Sequence, residues 1–204
     1  MEFAQTEKIE QMAQQIIERA QHLQQQKMQQ QMQDRPVIVA IDGRCASGKT
    51  TLCSFIEQKT GYTVLYLDHF FLQLHQRTPQ RLAQPGGNVD YERFWQQVMV
   101  PLRQGVSFSY RPYDCSVQQL TDAVEVLPTS IVFVEGSYSC HPALWKGYDL
   151  HIFLTVQPTE QLRRIAIRNG QQGLKVFQER WIPLEEAYFA AYRLETRCDY
   201  TLEL

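Results

Sequence analysis

One stretch, residues 37–52, limits what this chain can fold into more than any other part of the sequence. It begins with a run of β-branched and other apolar residues, a pattern typical of a short strand buried on both faces. Gly43 and Gly48 then enclose four residues and precede Lys49 and Thr50, which completes the G-x-x-x-x-G-K-[ST] pattern of a phosphate-binding loop. A preceding strand and a following helix are the context that this pattern requires. The stretch therefore predicts a nucleotide-binding site.

The residue types of this loop suit the chemistry of phosphate. Glycines let the backbone turn tightly, so that successive N–H groups point at phosphate oxygens, and the positive end of the following helix faces the same anion. Lys49 is expected to contact the β- and γ-phosphates, and the hydroxyl of Thr50 is expected to bind Mg²⁺. The predicted contacts with ATP come from the whole loop: Gly43, Arg44, Cys45, Ala46, Ser47, Gly48, Lys49, Thr50 and Thr51.

Further apolar runs alternate with helical patterns along the rest of the chain. We expect core strands at residues 37–41, 63–67, 131–135, 150–156 and 200–204. We expect helices after the phosphate loop and at residues 90–103, 158–168 and 177–192, with a flexible interruption at 170–175 and a kink or split at Pro183. Two short extended segments, 107–113 and 123–127, predict a small β insertion. Strands that alternate with helices indicate an α/β fold: a P-loop NTPase with a parallel sheet of about five strands flanked by helices.

The N-terminal segment, residues 1–35, differs in composition from everything after it. Glutamine dominates, and apolar residues recur at helical spacing. This pattern predicts an amphipathic helix that packs on the domain or on a neighbouring subunit, so that a homo-oligomer is left open. The alternative is a frayed, Gln-rich tail beyond Leu23. Residues 36–204 are predicted to form the P-loop domain.

Composition argues against several classes of partner. The chain has 20 basic and 22 acidic side chains and a net charge of −2, so we expect neither a nucleic-acid nor a membrane partner. Its five cysteines are scattered, which favours reduced thiols over a disulfide framework or a zinc site. No apolar run has the length of a signal peptide or a transmembrane helix, and the expected location is the cytoplasm.

Acidic residues lie at or near the ends of predicted core strands, where ligands bind in open α/β sheets. Asp68 is a candidate base or metal ligand that faces the γ-phosphate; alternatively, it caps a helix. Glu135 is similar to the acid that ends a Walker-B-type strand and holds Mg²⁺; alternatively, it is a solvated strand end. Asp42 precedes the loop and could equally form a turn.

Two arginines precede the predicted interruption. Arg164 and Arg168 share one helical face at i, i+4 spacing, and the simplest interpretation is a solvated basic face. In a phosphate-binding protein they are better interpreted as the start of a mobile lid that neutralises charge on the transferring phosphoryl group. With Asp68 and Lys49 they form the predicted catalytic set.

The ordered set of motifs resembles the uridine kinase family, a group that is itself similar to phosphoribulokinase and bacterial pantothenate kinase. The resemblance runs from about residue 36 to the C-terminus and rests on residues 41–52, 66–70, 111–114 and 133–136. It implies a nucleoside/nucleotide kinase-like fold and an enzyme that uses ATP and Mg²⁺. The implied activity is transfer of a phosphoryl group to a hydroxyl of a small metabolite, such as a nucleoside.

The resemblance also implies roles for single residues. Asp68 would accept the proton of a substrate hydroxyl, and Glu135 would lie near Mg²⁺. Asp90 matches a position that holds ribose hydroxyls, and Tyr113 matches a residue that lines the nucleobase pocket. Arg111 belongs to the same motif as Tyr113 and is predicted with it as a substrate contact.

Two features depart from the family pattern. Residues 115–120 lack the histidine that helps uridine kinases recognise the base, and residues 169–175 contain a single basic residue, Lys175. The resemblance therefore favours phosphotransfer more than uridine itself.

Two other classes of function are alternatives to a kinase. The first is a regulatory P-loop protein that binds or hydrolyses nucleotide without a small-molecule acceptor. The D-x-x-G and N-K-x-D motifs of GTPase switches do not occur, and Glu135-Gly136 stands where AAA-type motors carry Asp-Glu. A third reading is a scaffold that binds nucleotide but has lost catalysis.

Overall fold

The structure, a computed structural model, describes residues 2–30 and 35–204. Its strands are β1 (Val37–Gly43), β2 (Thr63–Tyr66), β3 (Phe108–Tyr110), β4 (Tyr113–Asp114), β5 (Gln119–Leu120), β6 (Val124–Val126), β7 (Ile131–Glu135), β8 (Leu150–Thr155) and β9 (Tyr200–Glu203). Its helices are α1 (Glu2–Gln29), α2 (Lys49–Thr60), α3 (Pro79–Leu82), α4 (Tyr91–Phe94), α5 (Val100–Arg103), α6 (Pro142–Trp145), α7 (Pro158–Val176), α8 (Ile182–Tyr192) and α9 (Leu194–Arg197). Short 3₁₀ turns occupy Leu67–Phe70 and Leu74–Gln76, and π-helical turns occupy Trp95–Met99 and Phe177–Trp181.

Five strands form one parallel sheet in the order β2-β7-β1-β8-β9. Both β1 and β7 are buried along their whole length. In β1, Ile38 and Ala40 belong to one hydrophobic cluster, whereas Val39 and Ile41 belong to the cluster on the other face. This alternation follows from the two-residue period of a strand. The predicted five-stranded parallel sheet is confirmed, and the antiparallel pairs β3–β6 and β4–β5 form the predicted β insertion.

The N-terminal helix is part of the main core. The helix predicted over residues 1–35 is observed as α1, which continues beyond Leu23 to Gln29; residues 1 and 31–34 lie outside the described part of the chain. One face of α1 packs on the sheet and α2 through five buried side chains: Met12, Ala13, Ile16, Ile17 and Ala20. Across the described residues, no helix combines the length and apolar character needed to span a bilayer.

Two predicted breaks are smaller than expected. The interruption predicted at residues 170–175 is wrong in extent, because α7 continues to Val176 and Gly170 alone departs from helical geometry, with φ 69° and ψ −180°. Glycine adopts this conformation at little cost, and the good helix formers after it resume the helix. Pro183 does not break α8, because it lies in the first turn of that helix, where proline is tolerated. The π-helical turn Phe177–Trp181 directly precedes α8.

Candidate active site

The phosphate loop begins where β1 touches β8. Gly43 has a φ of 137°, and a β-carbon at this position would lie 1.9 Å from the carbonyl oxygen of Leu154. Glycine is therefore required here. The N–H of Arg44 donates to the same carbonyl at 3.1 Å. The loop ends at Gly48, and α2 begins at Lys49, so that the first N–H groups of the helix face the loop.

Asp42 connects the base of the loop to two distant segments. Its buried carboxylate accepts four hydrogen bonds, from the N–H groups of Gly43 (2.6 Å), Tyr138 (3.1 Å) and Cys140 (2.9 Å) and from the hydroxyl of Tyr188 (2.8 Å). Burial raises the pKa of Asp42 to about 6, although these donors favour the charged form. Asp42 is thus a structural residue, and more than the turn former that the sequence allowed.

Three residues predicted to contact phosphate and Mg²⁺ come together at the loop. Nζ of Lys49 donates to the carbonyl oxygens of Gly43 and Arg44 at 2.8 and 2.9 Å. The hydroxyl of Thr50 donates to Oε1 of Glu135 at 3.0 Å. Burial raises the pKa of Glu135 to about 7, while the positive charge of Lys49 opposes the shift. A hydroxyl beside a buried carboxylate offers the oxygen ligands that Mg²⁺ binds together with phosphates, so Thr50 and Glu135 fit this ion.

Asp68 reaches the same edge of the sheet from the neighbouring strand. Strand β2 pairs with β7 so that Tyr66 lies opposite Glu135, which brings Asp68 beside the phosphate loop. The 3₁₀ turn that contains Asp68 has Tyr66 at its N-cap, so the capping alternative is wrong. The side chain of Asp68 opens to the cavity described below. The protein around it nevertheless limits its hydration and raises its pKa, against the opposing charge of Lys49.

A cavity of about 1170 Å³ joins these groups. The phosphate loop forms one wall, Asp68 and Glu135 lie on another, and α7 with the segment after it contributes Arg164, Arg168 and Arg180. Sites for a single drug-sized ligand occupy roughly 300–1,000 Å³. The cavity therefore has room for a nucleotide and a second small molecule.

The two predicted lid arginines face different parts of the cavity. Nη1 of Arg164 lies 3.3 and 3.5 Å from the carbonyl oxygens of Ala46 and Ser47, beside the phosphate loop. Arg168 is close enough to Asp68 for its charge to oppose the rise in the pKa of that carboxylate. Arg168 is thus the one of this pair whose charge acts on Asp68.

Four loop residues have their N–H groups directed at protein atoms. The N–H of Gly43 donates to Asp42, as described above, and the N–H of Ser47 donates to the carbonyl oxygen of Arg44 at 3.1 Å. The N–H of Arg44 donates to Leu154, as described above, and the N–H of Cys45 donates to Oε2 of Glu185 at 3.0 Å. The side chain of Arg44 points away from the loop. It pairs with Glu195 at 2.9 Å and also with Glu186 of α8. This geometry does not support the predicted phosphate contacts of Arg44 and Cys45.

The remaining predicted substrate contacts lie outside the cavity walls. Asp90 is buried, caps α4 and accepts a hydrogen bond from Nε2 of Gln76 at 2.7 Å. Arg111 donates to two backbone carbonyls of the β insertion at 2.6 and 3.1 Å. Tyr113 is buried, and its hydroxyl accepts a hydrogen bond from Arg77 at 3.3 Å. All three side chains thus bond to other groups of the protein. That these side chains contact substrate stays a prediction, which this geometry does not support.

Other cavity residues were not predicted from the sequence. Glu185 of α8 is buried and, besides binding Cys45, accepts a hydrogen bond from the hydroxyl of Ser137 at 2.8 Å. Arg77 and Asn88 also line the cavity. Arg77 lies in a polar segment between predicted elements, and its basic side chain was the available signal. Nothing in the sequence pointed to a role for Glu185, because acidic residues are common on helices.

No protein-family model matches the chain. The chain is 27% identical over 154 residues to uridine kinase-like protein 4 from Arabidopsis thaliana, a match that covers 69% of this chain and 32% of that protein. The chain thus spans about a third of the length of this curated relative. The predicted resemblance to uridine kinase-like proteins is confirmed.

Solved structures share the fold. A protein described as a possible uridine kinase, from Bacillus stearothermophilus, matches with a TM-score of 0.62 and 18% identity over 83% of this chain and 89% of that chain. D-glycerate 3-kinase from Cryptococcus neoformans matches with a TM-score of 0.54 and 17% identity over 75% of this chain and 79% of that chain. At such identities the likeness concerns the fold alone, and the predicted P-loop kinase fold is confirmed.

Proposed function

We propose that this chain is an ATP-dependent kinase that transfers the γ-phosphoryl group to a hydroxyl of a small metabolite. The observation that carries the proposal is that Asp68 opens to the same cavity as the phosphate loop, next to Glu135 and Lys49. A carboxylate at this position can accept the proton of an acceptor hydroxyl as its oxygen attacks phosphorus. Its raised pKa makes it a better base than an exposed aspartate.

Catalysis in such a site consists of positioning and charge stabilisation. The amides of the loop and of the first turn of α2 hold the phosphates, and Lys49 exchanges its two loop carbonyls for phosphate oxygens. Thr50 and Glu135 would hold Mg²⁺, and the ion would supply positive charge to the phosphate oxygens. Arg168 adds a further positive charge on the Asp68 side of the cavity.

The side chains of the cavity wall limit the class of acceptor that can bind. A nucleoside is one candidate, because the curated relative is a uridine kinase-like protein. Two side chains add hydrogen-bond donors to the cavity wall. They are Arg77, which bonds the Leu72 carbonyl at 3.0 Å and Tyr113, and the amide of Asn88. These donors also suit a hydroxylated acid, whose carboxylate would accept from them.

The test is ADP release measured with and without a panel of nucleosides and hydroxy acids. We expect release that depends on one acceptor class, and we expect Asp68→Asn to lower it by about 10²–10⁴-fold with ATP affinity changed only a few-fold. Lys49→Ala should lose ATP binding altogether. ADP release that is indifferent to every acceptor would instead favour the regulatory nucleotide-binding alternative.

A further inference from the structure

We propose that the N-terminal helix α1 forms one wall of the subsite for the heteroaromatic base of the bound nucleoside triphosphate. The inference rests on the proposed function and assigns a role to a segment in which the sequence shows no chemistry.

The direction of the nucleotide follows from the positions of Asp68 and the phosphate loop. The γ-phosphoryl group must lie near Asp68, and the phosphates then follow the loop toward the first turn of α2. The ribose and base must therefore extend past Thr51, away from Asp68. The residues that line the cavity include five from four segments of the chain, which we assign to this end: Thr6, Ile9, Thr51, Arg164 and Leu204.

The direction of α1 explains how its N-terminal part reaches this edge of the sheet. Arg19 hydrogen-bonds the hydroxyl of Tyr200 at the start of β9, whereas Ile9 packs in the hydrophobic cluster that contains Leu204, just past its end. Ten helical residues rise roughly 15 Å, and four strand residues span roughly 13 Å. At its other end α1 reaches the opposite edge of the sheet, where Lys27 donates to the carbonyl oxygen of Pro36, just before β1. The N-terminal part of α1 is thus directed toward the carboxyl edge, where the phosphate loop lies, and Thr6 and Ile9 line the cavity.

The side chains at this end suit a flat ring with a polar edge. Ile9 and Leu204 offer apolar surface, and Leu204 also packs close to Gly48 of the phosphate loop. The guanidinium of Arg164, held beside the loop carbonyls, is a plane on which an aromatic ring can stack. Thr51 also lines the cavity, and a threonine hydroxyl can bond to a ring nitrogen. Arg164 then contacts the base, while Arg168 remains on the phosphoryl side.

Calorimetry with two ligands distinguishes the contribution of the base to binding affinity from that of the phosphates. Titrating ATP and inorganic tripolyphosphate into the full chain and into Ile9→Ala, we expect the Kd for ATP to rise about fivefold because an apolar contact is lost. The Kd for tripolyphosphate, which has no base, should stay within about twofold. Gln15→Ala, on the exposed face of α1, is the matched control and should change neither value. Melting temperatures report whether each variant folds.

Thr6→Trp provides a second test, because Thr6 is exposed and its replacement leaves the core intact. It should obstruct the subsite and weaken ATP binding while sparing tripolyphosphate. An unchanged ATP affinity in both folded variants, or an equal loss for both ligands, would overturn the role of α1. A wild-type chain that binds neither ligand would overturn the proposed function itself, a result distinct from the first two.

Discussion

The carboxylate of Asp68 packs against Gly136, the residue that follows β7: a β-carbon at position 136 would stand 3.0 Å from Oδ1 of Asp68. Gly136 also has a φ of 140°, which L-residues with side chains rarely adopt. The glycine after Glu135 therefore provides the space in which the proposed base lies.

Replacing this glycine should displace the base. We expect Gly136→Ala to lower acceptor-dependent turnover at least about tenfold and to change ATP affinity only a few-fold, because small misplacements of a catalytic group are costly. The control is Gly61→Ala, which has a φ of 70° but no neighbour within 4 Å of the added carbon. Equal turnover in the two variants would show that the contact with Asp68 is unimportant.

The second prediction concerns the metal. Glu135→Gln preserves the shape of the side chain beside Thr50 but removes its charge, so the Mg²⁺ concentration for half-maximal turnover should rise about 10–100-fold. Glu57→Gln removes a charge from an exposed position of α2 and should leave the titration unchanged. Superimposable Mg²⁺ titrations for wild type and Glu135→Gln would exclude Glu135 from the metal site.

The third prediction concerns Glu185, which bonds both the loop amide of Cys45 and the hydroxyl of Ser137. Glu185→Ala leaves a buried N–H without a partner and should lower the free energy of unfolding by about 1–3 kcal/mol. Glu185→Gln can accept from the amide and donate to the serine, so it should retain most of that stability. Denaturant unfolding of the two variants provides the comparison, and equal losses would contradict a hydrogen-bonding role.

The fourth prediction concerns pH. His141 is buried, stacks on Tyr91 with ring centroids 4.2 Å apart, and accepts a hydrogen bond from the N–H of Ala143 at 3.2 Å. Burial lowers the pKa of His141 to about 4, whereas an unfolded histidine titrates near 6.5. Between these values the unfolded chain binds a proton that the folded chain does not. Stability should therefore be complete above pH ~6.5 and fall by about 2 kcal/mol as the pH drops toward 4.5.

The variant His141→Asn isolates this contribution, because asparagine can still cap α6 but does not titrate. We expect its free energy of unfolding to vary less between pH 7 and 4.5 than that of the wild type. Asp42, whose raised pKa has the opposite effect of adding stability as the pH falls, is present in both proteins and cancels in the comparison. Parallel pH profiles would rule out His141 as the cause.

Several features could be predicted because they depend on neighbours in sequence. The phosphate loop is one: Gly43 and Lys49 are six positions apart, and the turn between them follows from local backbone freedom. The core strands are another, since an apolar run long enough for a strand must be buried on both faces wherever the strand lies. The position of Asp68 at the ligand edge also follows, because parallel strands end together.

Some local predictions failed for local reasons. A glycine and flanking polar residues suggested a long interruption after residue 169, yet Gly170 absorbs the whole distortion. The substrate contact of Asp90 stays a prediction. Its carboxylate caps α4 in the structure, and one residue type can serve either role.

The sequence by itself therefore determined the nucleotide loop, the class of fold and the acids at the strand ends. Only the tertiary structure decided that Glu185 binds a loop amide, that Asp42 joins three segments, and that α1 lines the cavity. The contacts of Glu185 with Cys45 and of Asp42 with Tyr188 join residues 140 and 146 positions apart. Their existence depends on the strand order β2-β7-β1-β8-β9 and on the packing of helices over it. Pairwise proximity of this kind is a property of the folded path of the chain, and no short-range pattern encodes it.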